Sequence, residues 1–276
     1  SPYLHGYLKP LGNPGQIDLE KINLFNEERL KILVKNSDVV INLIGILYEN
    51  KKQKFENIHA SFPYLLSKLC SEQNIEKFIH ISALGINEAA NSQYMQSKLK
   101  GEKNILNNFH HAVILRPSIV FGPEDKFFNR FASLAEFLPA LPLIGGGQTK
   151  FQPIYVSDLC KAIVAILDKE EINKNIYELG GSQIFTFKEL MEILLKQIKK
   201  KRFLVPIPFS LAKFQAKILQ LLPKPPLTTD QVEMLKYDNI VTNKYPTLKD
   251  LKINPKTIDS ILPNYIWRFR KGGQFA

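Results

Sequence analysis

The chain has 276 residues, 45% of them hydrophobic and 23% charged, enough to bury one large core or two smaller ones. Its formal net charge of +11 favours anionic partners such as nucleotides or acidic lipid surfaces. No apolar run approaches the roughly 18 residues of a membrane span, and no aromatic–basic interleaving or zinc-finger spacing points to nucleic acid.

Residues 1–16 are rich in Gly and Pro and read as loop. "EKINL" (20–24) is a short strand candidate, and "NEERLKILVKN" (26–36) has helical period. "SDVVINLIG" (37–45) is an apolar strand ending in glycine, followed by a helix through "NIHASFPYLLSKLCSEQ" (57–73). "KFIHISALG" (77–85) is a strand, "SQYMQSKLKGEKNILNN" (92–108) a helix, and "HAVILRPSIVFGP" (111–123) a strand ending in a turn. Apolar strands alternating with helices predict an α/β fold, a parallel sheet covered on both faces.

Beyond residue 123 the rhythm loosens. "KFFNRFASLAEFLPAL" (126–141) reads as a helix with aromatic anchors. Residues 143–167 hold a glycine turn, a short strand and a helix capped near Ser157; "IYELGG" (176–181) is a strand. Thr186 with Glu189, and Thr228 with Gln231, are capping signals; Pro206 and Pro208 break the chain before the amphipathic "SLAKFQAKILQLL" (210–222). This half predicts a small, mostly helical lobe over the carboxyl edge of the sheet. The expected division is 1–125 with parts of 150–180 in the sheet domain, and 126–149 with 182–276 in the lobe.

Two features stay open. Phe127, Phe128, Phe131 and Phe137 either line an apolar, isoprenoid-friendly pocket or form the inter-lobe core. The 210–222 helix either rests on a membrane, with Lys213 and Lys217 facing phosphates, or docks on the protein itself. Cys70 and Cys160 read as buried thiols of a reducing compartment, and His5, His59, His80, His110 and His111 form no metal-ligand spacing.

Tyr94 and Lys98 stand four apart, on one helical face. Ser82 ends the preceding strand, where sites in parallel sheets form, so the three can converge. An ammonium beside a phenol favours the phenolate. Tyr94 could then exchange a proton with a substrate oxygen that Ser82 orients, while Lys98 holds a cofactor ribose.

The motifs "YMQSK", "HISALG", "NLIG", "RPSIVFGP" and "YVSDL" resemble the extended short-chain dehydrogenase/reductases of the NAD-dependent epimerase/dehydratase type. "LKPLGNPGQI", "SDVVINLIGILYE", "GPEDKFFNRFA" and "PLIGGGQTKFQPIYVSDL" are similar to a narrower branch, that of a respiratory complex I accessory subunit and its bacterial relatives. The resemblance implies a Rossmann-like doubly wound sheet and NADP(H) or NAD(H) as cofactor. It implies that Asn23, Leu24, Leu43, Ile44, Gly45, Ser82, Tyr94, Lys98, Pro117, Ser118 and Ile119 contact the cofactor, with Ser82, Tyr94 and Lys98 as the catalytic set.

It also implies a role as accessory or assembly factor, or in quinone metabolism. The alternatives are a working reductase, dehydrogenase or epimerase, and a non-catalytic redox-sensing module. The implied partners are complex I subunits, a membrane surface, or a quinone-like or lipid ligand. The expected location is cytoplasmic, or peripheral on the inner membrane, on the matrix side in a mitochondrion. The family's Gly-x-x-Gly-x-x-Gly loop, whose amides cradle pyrophosphate, has no match here. The expectation is therefore a sheet N-terminally truncated by one β-α-β unit, the unit that also selects NAD or NADP.

Overall fold

Four short apolar runs pair into the central sheet of the computed structural model, which describes residues 2–86, 91–169 and 174–273. The strands in chain order are β1 (Val39–Asn42), β2 (Lys77–Ile81), β3 (Val113–Pro117), β4 (Val120–Phe121), β5 (Ala140–Ile144), β6 (Lys150–Phe151), β7 (Ile154–Tyr155), β8 (Ile176–Leu179), β9 (Phe185–Thr186) and β10 (Phe203–Ile207). β1, β2, β3 and β8 form one parallel sheet in that order, with Ile79 opposite Val113 and Asn42 opposite His80. β5 with β10 and β4 with β7 are parallel pairs, and β6 with β9 is antiparallel.

The helices are α1 (Glu27–Lys35), α2 (Phe62–Glu72), α3 (Gln93–Asn108), α4 (Phe128–Phe137), α5 (Val156–Leu167), α6 (Phe187–Gln197), α7 (Phe209–Leu219) and α8 (Thr229–Met234). Alternation along β2 divides them between the two faces. Phe78 packs with Leu30 and Val34 of α1, Leu66 and Leu69 of α2 and Ile105 of α3. Ile79 packs with Leu115 and with Leu159, Ala162 and Ile166 of α5. The sheet is therefore covered on both sides, as expected of a Rossmann-like fold. A third core, built on Phe121, Phe128, Leu190, Met191 and Leu194, holds the later helices together.

Several expectations need correction. Residues 20–24 are not a strand: the Asn23 side chain accepts from Phe25 N at 3.1 Å and its carbonyl from Asn26 N at 3.0 Å, a turn that competes with any ladder. β1 stops at Asn42, whose Oδ1 accepts from Ile44 N at 3.0 Å and peels residues 43–45 off the sheet. Pro2–Leu11 winds in 3-10 turns, and α5 is capped at Tyr155 instead of Ser157. Pro206 lies inside β10, opposite Leu143, on a two-stranded edge where no donor is demanded of it. Cys70 is buried, but Cys160 lies on the outer face of α5 and is exposed. Both capping boxes form as read.

Candidate functional site

The residues gathered at the carboxyl ends of β1, β2 and β3 come from four chain segments. Ser92 starts α3 by accepting from Met95 N at 3.3 Å, which fixes the helix register and with it Tyr94 and Lys98. Glu102, one turn beyond Lys98, holds Arg116 of β3 through two hydrogen bonds of 3.0 and 2.6 Å, with both side chains buried. The pair straps α3 across the sheet. Gly101 permits close packing on the other side: a Cβ there would stand 1.8 Å from the carbonyl oxygen of His59.

His59 sits in a single π-helical turn, Glu56–Ser61, that leads into α2. The main-chain N–H of Ile46 donates to its Nε2 at 3.0 Å, so the proton of the neutral ring lies on Nδ1, 3.0 Å from Ser97 Oγ. Ser97 Oγ in turn donates to the carbonyl of Tyr94 at 2.7 Å. Burial and the neighbouring Lys98 push the imidazole down to about 3. His59 also packs edge-on against the Tyr94 ring, with centroids 5.2 Å apart.

Lys98 Nζ donates to the carbonyl of Ile81 at 3.0 Å, tying it to the backbone just before Ser82. A Cβ built on Gly45 would lie 3.4 Å from the same nitrogen, so the glycine ending the first strand loop does approach the lysine. Burial brings Lys98 down to about 8, partly opposed by Glu102. Leu43, Ile44 and Gly45 are exposed and form an open rim over this spot. Beneath it three buried side chains carry polar atoms without a hydrogen-bond partner among the described residues: Asn42 Nδ2, both ring nitrogens of His80, and Ser82 Oγ. Such orphaned atoms are expensive in a core and mark a place built to receive polar groups.

Tyr94 departs from the sequence expectation. Burial first, and Asp230 second, push its hydroxyl up to about 12, so neutral phenol is the resting form and the lysine does not prevail. Asp230 comes from α8 and caps α3: it accepts from Ser92 Oγ at 3.0 Å, Gln93 N at 2.6 Å and Tyr94 N at 3.2 Å.

The remaining expected cofactor contacts divide. Pro117 and Ser118 are buried and Ile119 half-buried at the end of β3, beside Ser82. Ser118 Oγ is committed to Asn239, lying 2.6 Å from its Oδ1. Asn23 is exposed and Leu24 packs on the core of α1 and α2. Sequence reasoning missed His59, Asp230 and Asn239. His59 lies 35 positions before Tyr94 and Asp230 lies 136 after it, so no local pattern could join them.

The model of the NAD dependent epimerase/dehydratase family matches residues 5–180. The Arabidopsis thaliana protein NADH dehydrogenase [ubiquinone] 1 alpha subcomplex subunit 9, mitochondrial, is 34% identical, over 97% of this chain and 69% of its own length. The Mus musculus protein of the same name is 32% identical, over 92% of this chain and 67% of its own length. In fold, a dTDP-glucose 4,6-dehydratase from Streptomyces venezuelae with NAD and TYD bound superposes with a TM-score of 0.71 at 14% identity, over 96% of this chain and 83% of that one. The sheet and the covering helices agree with these likenesses, and the chain belongs to the NAD-dependent epimerase/dehydratase family, in the branch of the alpha subcomplex subunit 9 proteins.

Proposed function

We propose that this chain holds a nicotinamide dinucleotide, NADP(H) or NAD(H), at the carboxyl ends of β1, β2 and β3, and serves as an accessory component of a complex I-type membrane assembly. One observation carries the reading: the Lys98 ammonium stands against the Gly45 backbone and the Ile81 carbonyl at the carboxyl end of a parallel sheet, where the next residue, Ser82, has a buried hydroxyl without a partner among the described residues. Lys98 and the 43–45 rim would hold the nicotinamide ribose and its neighbouring phosphate. When bound, such a cofactor supplies hydride exchange. Ser82 would orient a substrate oxygen, and Tyr94, held as neutral phenol, is set to give a proton to it.

The names of the relatives support a mitochondrial place over a free cytoplasmic one; the matrix side of the membrane is part of the proposal. Among the described residues no helix is long and apolar enough to cross a membrane. The reading as a working oxidoreductase keeps one specific support, the buried Ser82 Oγ at the end of β2, without a hydrogen-bond partner among the described residues.

The test is nucleotide analysis of the gently purified full-length protein after denaturation, by mass spectrometry. Stoichiometric NADPH that resists exchange is the expected result for an accessory role. Freely exchanging nucleotide, with turnover lost in Tyr94→Phe, favours the enzyme. No affinity for either dinucleotide overturns both. Lys98→Ala is expected to lower nucleotide content, whereas Tyr94→Phe leaves it unchanged.

A further inference from the structure

A cavity of about 510 Å³ lies beside this site, between the sheet ends and the later helices. Among its lining are Leu84, two residues after Ser82, and Met95 and Ile119, next in sequence to Tyr94 and Ser118 respectively. Its outer end is Leu138, Ile207 and Leu219, at the close of α4, β10 and α7. The size falls within the range of small-molecule sites.

Most of the charged or amide groups on its wall are already engaged, Gln215 of α7 being the exception among the bonds the structure shows. Arg130 donates to the carbonyl of Pro226. Asp238 accepts from Lys150 N at 2.8 Å. Asn239 binds Ser118 and donates to the carbonyl of Leu84 at 3.2 Å. What the wall offers a ligand is aliphatic and aromatic surface, from Phe127, Phe131 and Leu134 among others. A sugar nucleotide carries hydroxyls and phosphates that would lose water here without gaining partners. An alkyl or isoprenoid chain gains by burial in proportion to its length.

The outer end adds a second observation. On α7, Gln215 and Leu219 face the cavity, between the buried Ala212 and Ala216 and an exposed stripe of Leu211, Phe214, Ile218 and Leu221. The cavity thus lies between the segments that carry Ser82 and Tyr94, through their neighbours Leu84 and Met95, and α7, whose outer face is apolar.

We propose that the cavity takes the single apolar chain of an amphiphile whose polar head, a carbonyl or hydroxyl, stands at Ser82 and Tyr94. The head placement rests on the reading of that end as the dinucleotide site; occupation of the cavity by a chain does not. This divides the four phenylalanines. Phe127 and Phe131 line the cavity, Phe128 is fully buried core, and Phe137 lies outside, 84% exposed.

The test uses the full-length protein and cis-parinaric acid, a polyene fatty acid that fluoresces in apolar sites. Saturable, stoichiometric binding is expected at high salt, displaced by neutral dodecanol and unaffected by dTDP-glucose. Leu134→Trp and Leu138→Trp, one turn apart on the same wall, are each expected to weaken binding at least about tenfold, since a filled cavity excludes several methylenes. Their melting curves report folding, and the wild-type competition stands without them. Binding that disappears at high salt, displacement by dTDP-glucose, or unchanged affinity in both folded variants overturns the proposal. Nucleotide content of the same samples separates the two readings: chain binding without any dinucleotide affinity sinks the cofactor site and leaves the cavity assignment standing.

Discussion

His59 shows how much a single buried side chain can set. Its ring is neutral, held by Ile46 and Ser97, and faces Tyr94, Lys98 and His80. Its folded-state pKa of about 3 lies below the ordinary 6.5, so between these values the unfolded chain binds the extra proton. Stability from this group is therefore fully present above pH about 6.5 and is lost as pH falls toward about 3. His80, also lowered by burial, acts in the same direction. His59→Gln is expected to flatten the acid limb of a stability-versus-pH curve measured by urea unfolding; an unchanged limb would assign that limb to other groups. At this scale the sequence revealed what short motifs carry. Ser82 and Lys98 lie at the end of β2 and on α3, the elements that the sequence placed them in, and Gly45 lies beside Lys98. The neutral Tyr94 was not legible, because its cause is burial plus a carboxylate from a distant helix.

Elements were legible wherever period and capping agreed. α6 and α8 begin at the Thr186 and Thr228 caps read from the sequence, while α1 and α3 are capped by Asn26 and Ser92, the first residues of their helical runs. The errors came where a side chain redirects the backbone, as Asn23 and Asn42 do, or where tertiary pairing overrides a proline, as at Pro206. The crossing of α3 over the π-helical turn depends on Gly101 alone at its closest point. An alanine there would gain about 1 kcal/mol of helix propensity. It would also drive a methyl into the His59 carbonyl, forcing backbone apart in a packed site. Overpacking of this kind costs about 1–3 kcal/mol or more. Gly101→Ala is expected to lower the melting midpoint by several degrees and, by displacing His59 and Lys98, to reduce nucleotide retention; an unaltered midpoint would show that the crossing relaxes freely.

At the scale of the whole molecule, the sheet and the later helices are joined through a few polar contacts that only the fold brings together. Asp230 of α8, accepting from the start of α3, is one, and Thr242 donating to Glu178 of β8 at 2.6 Å through its N–H is another. Asp230→Ala removes three acceptor contacts from the start of α3, a loss on the order of 1–3 kcal/mol. The Tyr94 hydroxyl then faces less negative charge, and its titration, followed by ultraviolet absorbance, is expected to move below about 12. Lost stability without that movement would make Asp230 a cap alone.

The outer surface of α7 poses the remaining question for the molecule as a whole. A stripe with Phe214 62% exposed and Leu221 82% exposed is unusual for a helix turned to water, and Lys213 and Lys217 border it on the side away from the cavity. Apolar side chains flanked by cations suit the headgroup region of an acidic bilayer, where each lysine near the surface adds about 1 kcal/mol. With a net charge of +11 the whole protein is drawn to such a surface. Two terms then hold it, one that salt screens and one that salt leaves intact. Flotation of the full-length protein with vesicles of acidic phospholipid is expected to fall partway as salt rises. Phe214→Glu with Leu221→Glu should abolish what remains, since both residues leave the stripe while the lysines stay. Complete release of the wild type by salt would reduce the contact to charge alone. Undiminished flotation of the double variant would move the membrane-facing surface away from α7, and with it the route by which an apolar chain reaches the cavity.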